Sequence, residues 1–309
     1  MDGISHLLRM AQLEAQLDKR CLLSAATRMD VTPGDERDVP FHVLLEGECQ
    51  IEVDGVLHSM TAGDVVIIPS GARHRITTAG AGPARSTSEV PGTSFATTTS
   101  LGGDGAVIDL FCGHYRVGAG AGSILFGSLP TPTHVSLFRS EDGKATLTQL
   151  SGLMRAEAHR DGAGSAAIMS AFCTVLIALV LRTATGAGTH DRVWTAVPDR
   201  RLSAVIQQVL ESPGAGWSIE GLSRQSAMSR ATFMRHFQAA TGMTFGQFLS
   251  RARLMSAADL LTTSDLTVAA IAARVGYRSE SAFTRAFQTE TGETPARFRR
   301  NQRPARLVS

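Results

Sequence analysis

Cysteine is scarce in this chain, and what there is lies scattered. The 309 residues hold four, Cys21, Cys49, Cys112 and Cys173, with no Cys-x-x-Cys pair. That spacing excludes a zinc knuckle and a disulfide framework, and leaves only redox or metal chemistry at sites that folding assembles. Long hydrophobic runs are missing too. The longest, residues 166–181, is interrupted by Ser170 and Thr174 and reads as too short and too broken to span a bilayer. The first residues, MDGISHLLRM, show no basic patch followed by an apolar run and a small-residue cleavage site, so no secretory signal is expected. A cytoplasmic location without membrane contact is the expectation. No P-loop, nucleophile elbow or dinucleotide fingerprint occurs, which argues against the commoner enzyme classes.

The balance of charge is uneven along the chain. A net charge of +2, with 43% hydrophobic and 19% charged residues, fits a soluble protein long enough for two domains. From Asp199 onward there are 15 arginines and no lysine against 8 acidic residues, a net of +7. Residues 1–198 hold 15 basic and 20 acidic residues, a net of −5. Such a division suits a tail that meets a polyanion, although a merely solvated basic face has the same composition.

Periodicity predicts an α+β multidomain chain. Residues 1–20 read as a short amphipathic helix through Leu7, Leu8, Met10, Leu13 and Leu17. From Phe41 to about Ile76 the pattern is of short strands, with a hairpin at Asp54-Gly55 and a buried strand in GDVVIIPSG. Residues 79–105, rich in Gly, Ser, Thr, Ala and Pro, read as a long mobile loop. AVIDLFCGHYRV resumes the β pattern, and helical spacing runs from Ala145 to Arg182. The last of that stretch is apolar nearly all round, as expected of a helix buried in a core or in a dimer contact. A sensing domain over 1–182, a linker over 183–198, helices over 199–300 and a tail over 301–309 are the predicted layout.

A repeat decides the reading of the basic half. SRATFMRHFQAATGMTFGQF (229–248) aligns without gaps on SESAFTRAFQTETGETPARF (279–298), with nine identities in twenty positions. Each copy starts at a serine suited to cap a helix, carries a Phe pair at i and i+4, and ends at glycine. A shorter helix precedes each, the order of a helix-turn-helix. With the phenylalanines inward, Ala231, Met234, Arg235 and Gln238 face out in the first unit. Glu280, Ser281, Thr284, Arg285 and Gln288 do so in the second. Arginine offers guanine two parallel donors in the major groove. Arg230, Arg278, Arg251, Arg253 and the cluster Arg297, Arg299, Arg300 suit phosphate. A helical bundle with an exposed arginine face is the plainer alternative, and the repeat with the +7 charge favours double-stranded DNA.

These residues resemble the AraC/XylS family of bacterial transcription regulators. The matching stretch is RARLMSAADLLTTSDLTVAAIAARVGYRSESAFTRAFQTETGETPARFR. It carries the family's connecting helix, its Ile-Ala-x-x-x-Gly-Tyr segment and its Gly-x-Thr-Pro ending. The resemblance implies a C-terminal all-α tandem helix-turn-helix domain, joined by one helix from Phe245 to about Thr262. It also implies contact with RNA polymerase, activation of transcription, a nucleoid location and a homodimer. Phe245 stands where the second copy has Pro295, and Ala231 and Met234 leave the first unit reliant on Arg235.

Gly63-x5-Pro69-x-Gly71-x2-His74 is similar to the second motif of the cupins, which implies an N-terminal cupin-like β-barrel with a helical subdomain. The first motif keeps only His42 and Glu46, without His-x-His. A cupin enzyme needs a complete metal set, so catalysis is not expected. His42, His74, Cys112 and His114 are candidate ligands for zinc or another transition metal, with ordinary strand residues the plainer reading. Cys21 follows Lys19 and Arg20, cations that lower a thiol pKa. Cys21 and Cys112 resemble cysteines of cupin-bearing AraC regulators that respond to reactive chlorine, and the resemblance implies oxidation of Cys21, with a disulfide to Cys112 one outcome. Cys49 and Cys173 read as inert. A metal or small molecule in the cupin cavity is the alternative effector, and a nucleoid-type binder without a sensor is the third alternative.

Overall fold

The computed structural model describes residues 3–302 apart from residues 12, 33, 36, 118–120, 128, 140, 161 and 184–198. Nearly all of the predicted linker and most of the predicted tail lie outside the described residues. The strands are β1 (Glu14–Leu23), β2 (Arg28–Val31), β3 (Asp38–Glu46), β4 (Glu48–Val53), β5 (Val56–Thr61) and β6 (Asp64–Ile67). They continue with β7 (His74–Thr77), β8 (Thr87–Val90), β9 (Ala96–Ser100), β10 (Ile108–Arg116) and β11 (Thr133–Ser136). The helices are α1 (Gly3–Ala11), α2 (Ala121–Gly127), α3 (Glu141–Arg160), α4 (Ser165–Thr183) and α5 (Arg200–Glu211). They end with α6 (Ile219–Gln225), α7 (Arg230–Thr241), α8 (Phe245–Thr263), α9 (Val268–Arg274), α10 (Glu280–Thr291) and α11 (Pro295–Gln302).

Contacts divide the chain into two units, residues 14–116 with 129–184, and residues 1–13 with 117–128 and 185–309. The first unit is a double-sheeted barrel. One sheet has the order β11-β6-β3-β10-β1-β9-β8 and the other β2-β7-β4-β5. Inward side chains of both sheets, among them Leu23, Leu44, Ile51, Val66, Ile76 and Leu110, make one buried core. The β4–β5 hairpin turns at Asp54 (φ 49°) and Gly55 (φ 80°), the pair of left-handed residues that a tight hairpin needs. At Gly63 (φ 93°) an added Cβ would fall 2.2 Å from the Phe138 ring, so only glycine fits the start of the cupin-like motif.

Two expectations fail here. Residues 1–20 are not one helix, because α1 stops at Ala11 and Glu14–Leu23 is a strand. The strand's alternation of buried residues is interrupted by a bulge between Leu17 and Lys19, and that interruption hid the period of two. Nor is 79–105 structureless, since β8 and β9 lie within it and β9 runs parallel beside β1. The threonines of ATTTS read as loop by composition, yet β-branching suits them to a strand.

At 19 residues and high hydropathy, α4 has the length and composition of a membrane span, contrary to the expectation from sequence. In the barrel unit it is a packed helix. Met169, Cys173, Leu176, Ile177, Val180 and Leu181 are buried, and the Tyr115 hydroxyl donates to the Cys173 carbonyl at 2.9 Å. Ile168 and Val175 remain exposed.

The second unit is helical, and the repeat sets its core. Phe233, Phe237, Phe245 and Phe248 stack in one cluster with ring centroids 5.5–6.5 Å apart. Tyr277, Phe283, Phe287 and Phe298 form its counterpart at 5.3–5.6 Å. Between them α8, started by a Thr244–Gln247 capping box, buries Leu254, Met255, Ala258 and Leu261. Helices α1 and α2 pack on α8 within the same unit. The sequence had assigned both to the sensing domain. Removing a fully buried ring of this kind costs about 3–5 kcal/mol. Phe287→Ala is therefore expected to lower the unfolding free energy of the helical unit, read from denaturant titration, by that amount, and a loss under about 1 kcal/mol would show that the aromatic cluster does not hold it.

Candidate functional site

The two helix-turn-helix units are built alike from their caps inward. Ser229 Oγ accepts from the Thr232 amide at 3.1 Å and Ser279 Oγ from the Ala282 amide at 3.2 Å, satisfying donors that a helix start leaves open. Gly242 (φ 74°) and Gly292 (φ 78°) end α7 and α10 in the left-handed conformation. The turn after α6 takes its left-handed residue as Ala227 (φ 51°), and the turn after α9 as Gly276 (φ 88°). A Cβ on Gly276 would lie 2.8 Å from the Arg253 guanidinium.

Every outward residue predicted on α7 lies exposed: Arg230, Ala231, Met234, Arg235 and Gln238. On the second unit Arg278, Glu280, Ser281, Arg285 and Gln288 are exposed and Thr284 is half-buried. Arg230 pairs with Glu220 at 2.7 Å. The predicted phosphate arginines divide into three sets. Arg299 donates to the Leu261 carbonyl near the end of α8 and to the Leu266 carbonyl in the connection that follows it. Arg253 donates to the Pro213 carbonyl at 3.0 Å and lies over the Tyr277 ring, so these two hold the helices together. Arg251 faces Glu290 at 3.4 Å and Arg297 faces Glu293 at 3.7 Å. Arg278 and Arg300 stay exposed.

In the barrel unit, pairing of β1 with β10 and of β10 with β3 gathers four side chains into a line. Cys21 Sγ lies 3.6 Å from Cys112 Sγ, which lies 3.1 Å from His42 Nδ1. His42 Nε2 is 2.7 Å from His74 Nε2, and His74 Nδ1 donates to the Ala72 carbonyl at 2.8 Å. Burial pushes the Cys112 thiol well up, and burial with the neighbouring His74 pushes His42 well down. Both rings and the thiol are therefore neutral. Burial also raises Cys49 and Cys173 to about 12, which agrees with their reading as inert.

The predicted metal set does not converge. Two nitrogens on one zinc each stand about 2.0–2.1 Å from it, whereas His42 and His74 meet in a direct hydrogen bond. His114 turns to Asp18, its Nδ1 donating at 2.9 Å. Among the described residues no three His, Cys, Asp or Glu side chains form a group able to hold a metal. The two cations that precede Cys21 are ion-paired. Arg20 makes a two-point pair with Asp109 at 2.9–3.0 Å and Lys19 pairs with Glu89, so both cations are already committed to carboxylates. Cys21 itself is fully buried beside Met29. Three of the four predicted ligands, His42, His74 and Cys112, do lie together, and the strand register shows that they meet as a line of hydrogen bonds.

A cupin barrel followed by paired helix-turn-helix units defines a DNA-binding transcription regulator. Residues 2–186 match a family model described as Cupin, and residues 222–301 one described as Helix-turn-helix domain. The chain is 28% identical over 302 residues to an uncharacterized HTH-type transcriptional regulator of Haemophilus influenzae, covering 97% of this chain and 99% of that one. It is 28% identical over 305 residues to the RCS-specific HTH-type transcriptional activator RclR of Escherichia coli K12, covering 98% and 99%. With the HTH-type transcriptional regulator MtrA of Neisseria gonorrhoeae it shares 25% identity over 307 residues, covering 97% and 98%. The protein belongs to the AraC/XylS family of regulators, in the group that carries an N-terminal cupin.

The Asp18 hydrogen bond raises the pKa of His114. A group raised on folding adds stability below its unfolded value, and that stability fades as pH rises through the folded value. Asp18→Asn is expected to lower the melting temperature more near pH 5.5 than near pH 8.5, both values bracketing an ordinary histidine pKa of about 6.5. Equal losses at both would mean the pair carries no charge-dependent stability.

Proposed function

We propose that this regulator reads duplex DNA through α7 and α10 and is switched when Cys21 and Cys112 are oxidised to a disulfide. One observation carries the switch: two thiols 91 positions apart lie sulfur to sulfur at 3.6 Å inside the sensing barrel. A disulfide needs about 2.05 Å, so the bond closes with a small approach. The register places Cys21 opposite Leu110 and Cys112 opposite Lys19, which makes the cysteines diagonal neighbours. Diagonal α-carbons in a regular sheet stand about 7–8 Å apart, while a disulfide holds them at about 4.4–6.8 Å. Oxidation therefore draws β1 and β10 out of their relaxed register.

Those two strands are the ones that lead into the helical unit. α1 precedes β1, α2 follows β10, and both helices pack on α8 between the two DNA-reading units. In this reading a change in the two strands is passed along the chain to the helical unit, since the barrel unit joins it at these two points. The barrel acts in this reading as a sensor and not as a catalyst. The regulator works in the cytoplasm, on the nucleoid, as an activator that contacts RNA polymerase. It forms a homodimer through exposed apolar residues of α3 and α4, Leu153, Ile168 and Val175.

Arg235→Ala and Arg285→Ala are each expected to cost about 1–3 kcal/mol, roughly five- to 150-fold, on the sequence that the wild type selects from a random pool. Equal loss on every sequence would reduce them to phosphate contacts. Under hypochlorous acid, mass spectrometry is expected to find a Cys21–Cys112 disulfide, and DNase footprints are expected to change in the wild type and not in Cys21→Ser. A footprint response that survives Cys21→Ser would overturn the switch. In sedimentation, Val175→Glu is expected to shift the dimer to monomer, and an unchanged dimer would place the interface elsewhere.

A further inference from the structure

We infer that Cys112, not Cys21, is the thiol the oxidant meets, with His42 the base that takes its proton and His74 the positioning residue that fixes which nitrogen of His42 is free to do so. The inference rests on the disulfide switch and assigns its order and its base. Access decides the order. Cys112 lines a cleft of about 350 Å³ together with Asp18, Lys19, Asp38, His42 and His114. Cys21 does not line it, has no exposed surface, and lies behind Cys112 against Met29. Cys112 is itself buried, 4% exposed against 0% for Cys21, but it is the one of the two that lines the cleft, so an oxidant entering there meets it first and Cys21 is placed to resolve what forms.

The hydrogen-bond line fixes where the protons are. A carbonyl can only accept, so His74 must carry its proton on Nδ1 to bond the Ala72 oxygen. With burial holding that ring neutral, its Nε2 is a bare acceptor. The 2.7 Å contact then requires His42 to donate from Nε2. His42 is neutral as well, so its Nδ1 is bare and faces the Cys112 thiol at 3.1 Å. One backbone carbonyl at the far end thus sets the tautomers of two buried imidazoles and points a lone pair at one thiol. Among the described residues Cys21 has no comparable base, its side-chain partners being the sulfurs of Cys112 and Met29.

The chemistry balances with a two-electron oxidant such as hypochlorous acid. Cys112 Sγ attacks the chlorine, the S–Cl bond forms and the O–Cl bond breaks. The thiol proton passes to His42 Nδ1 and then to the departing hydroxide, giving water. Cys21 Sγ next attacks Cys112 Sγ, the S–S bond forms, and chloride leaves while the Cys21 proton goes to solvent. Two thiols have lost two electrons in total, and chlorine has gained two.

The test treats the full chain with one equivalent of hypochlorous acid, lets any Cys sulfenyl chloride not captured by the second thiol hydrolyse to sulfenic acid with release of HCl, then adds dimedone and reads each cysteine by peptide mass spectrometry. Cys21→Ala is expected to accumulate the adduct on Cys112, and Cys112→Ala to leave Cys21 reduced at the same dose. Cys21→Ser and Cys112→Ser provide the same comparison if an alanine variant fails to fold, which its melting curve will show. In the Cys21→Ala background, His42→Gln is expected to slow Cys112 modification at least tenfold. It is also expected to shift the Cys112 S–H infrared stretch to higher frequency, a signature that loss of packing alone would not give. Modification of Cys21 in Cys112→Ala as fast as that of Cys112 in Cys21→Ala would overturn the order. An unchanged rate in His42→Gln would remove the base. Absence of any Cys21–Cys112 disulfide in the oxidised wild type would instead overturn the switch on which the inference stands.

Discussion

The pairing of β1 with β10 is the constraint from which most of this molecule follows. It is an antiparallel ladder at the middle of the larger sheet, flanked by β9 on one side and β3 on the other. Because it joins residues about ninety positions apart, it brings Cys21 beside Cys112, and through β3 it brings His42 beside both. The same ladder runs from Glu14 opposite Arg116 to Leu23 opposite Ile108, with one bulge at the level of the cysteines. A bulge twists and loosens a ladder locally. The one irregular stretch in this pairing is thus the stretch whose spacing oxidation would alter.

Burial governs the chemistry of that site in two opposing ways. It raises the Cys112 thiol and lowers His42, so the pair rests as a neutral hydrogen bond and not as a thiolate beside an imidazolium. A resting thiol of that kind is a poor nucleophile toward weak electrophiles. In the proposed switch such a thiol would respond to an oxidant strong enough to draw the proton across in the same step.

The helical half of the fold was legible because it is written twice. The caps Ser229 and Ser279, the stops Gly242 and Gly292 and the Phe pairs all act locally, within one or two helical turns, and locality is what a sequence displays. The Asp54-Gly55 hairpin and the glycine of the cupin-like motif were legible for the same reason. β1 was hidden by its bulge, and β9 by threonines that composition alone assigns to loops. The division among the arginines was invisible, since Arg299 and Arg253 bond carbonyls 33 to 40 positions away and differ from Arg278 and Arg300 only in what the fold puts next to them. The cysteine pair was named by resemblance and the grouping of Cys112 with His42 and His74 by motif, but the order of contacts along that line needed strand register, a property of four chain segments at once.

The helical unit is also not a contiguous cassette. Leu7, Met10 and Ala11 of α1 and Ile124, Leu125 and Phe126 of α2 are buried, and they come from stretches that bracket a strand-rich segment of more than a hundred residues. A gene fusion that exchanged only the C-terminal hundred residues with those of a cousin would graft foreign surfaces under these two helices. Swapping of promoter preference among such regulators is therefore constrained by an internal seam, and substitutions in the reading heads are the easier evolutionary route to a new target.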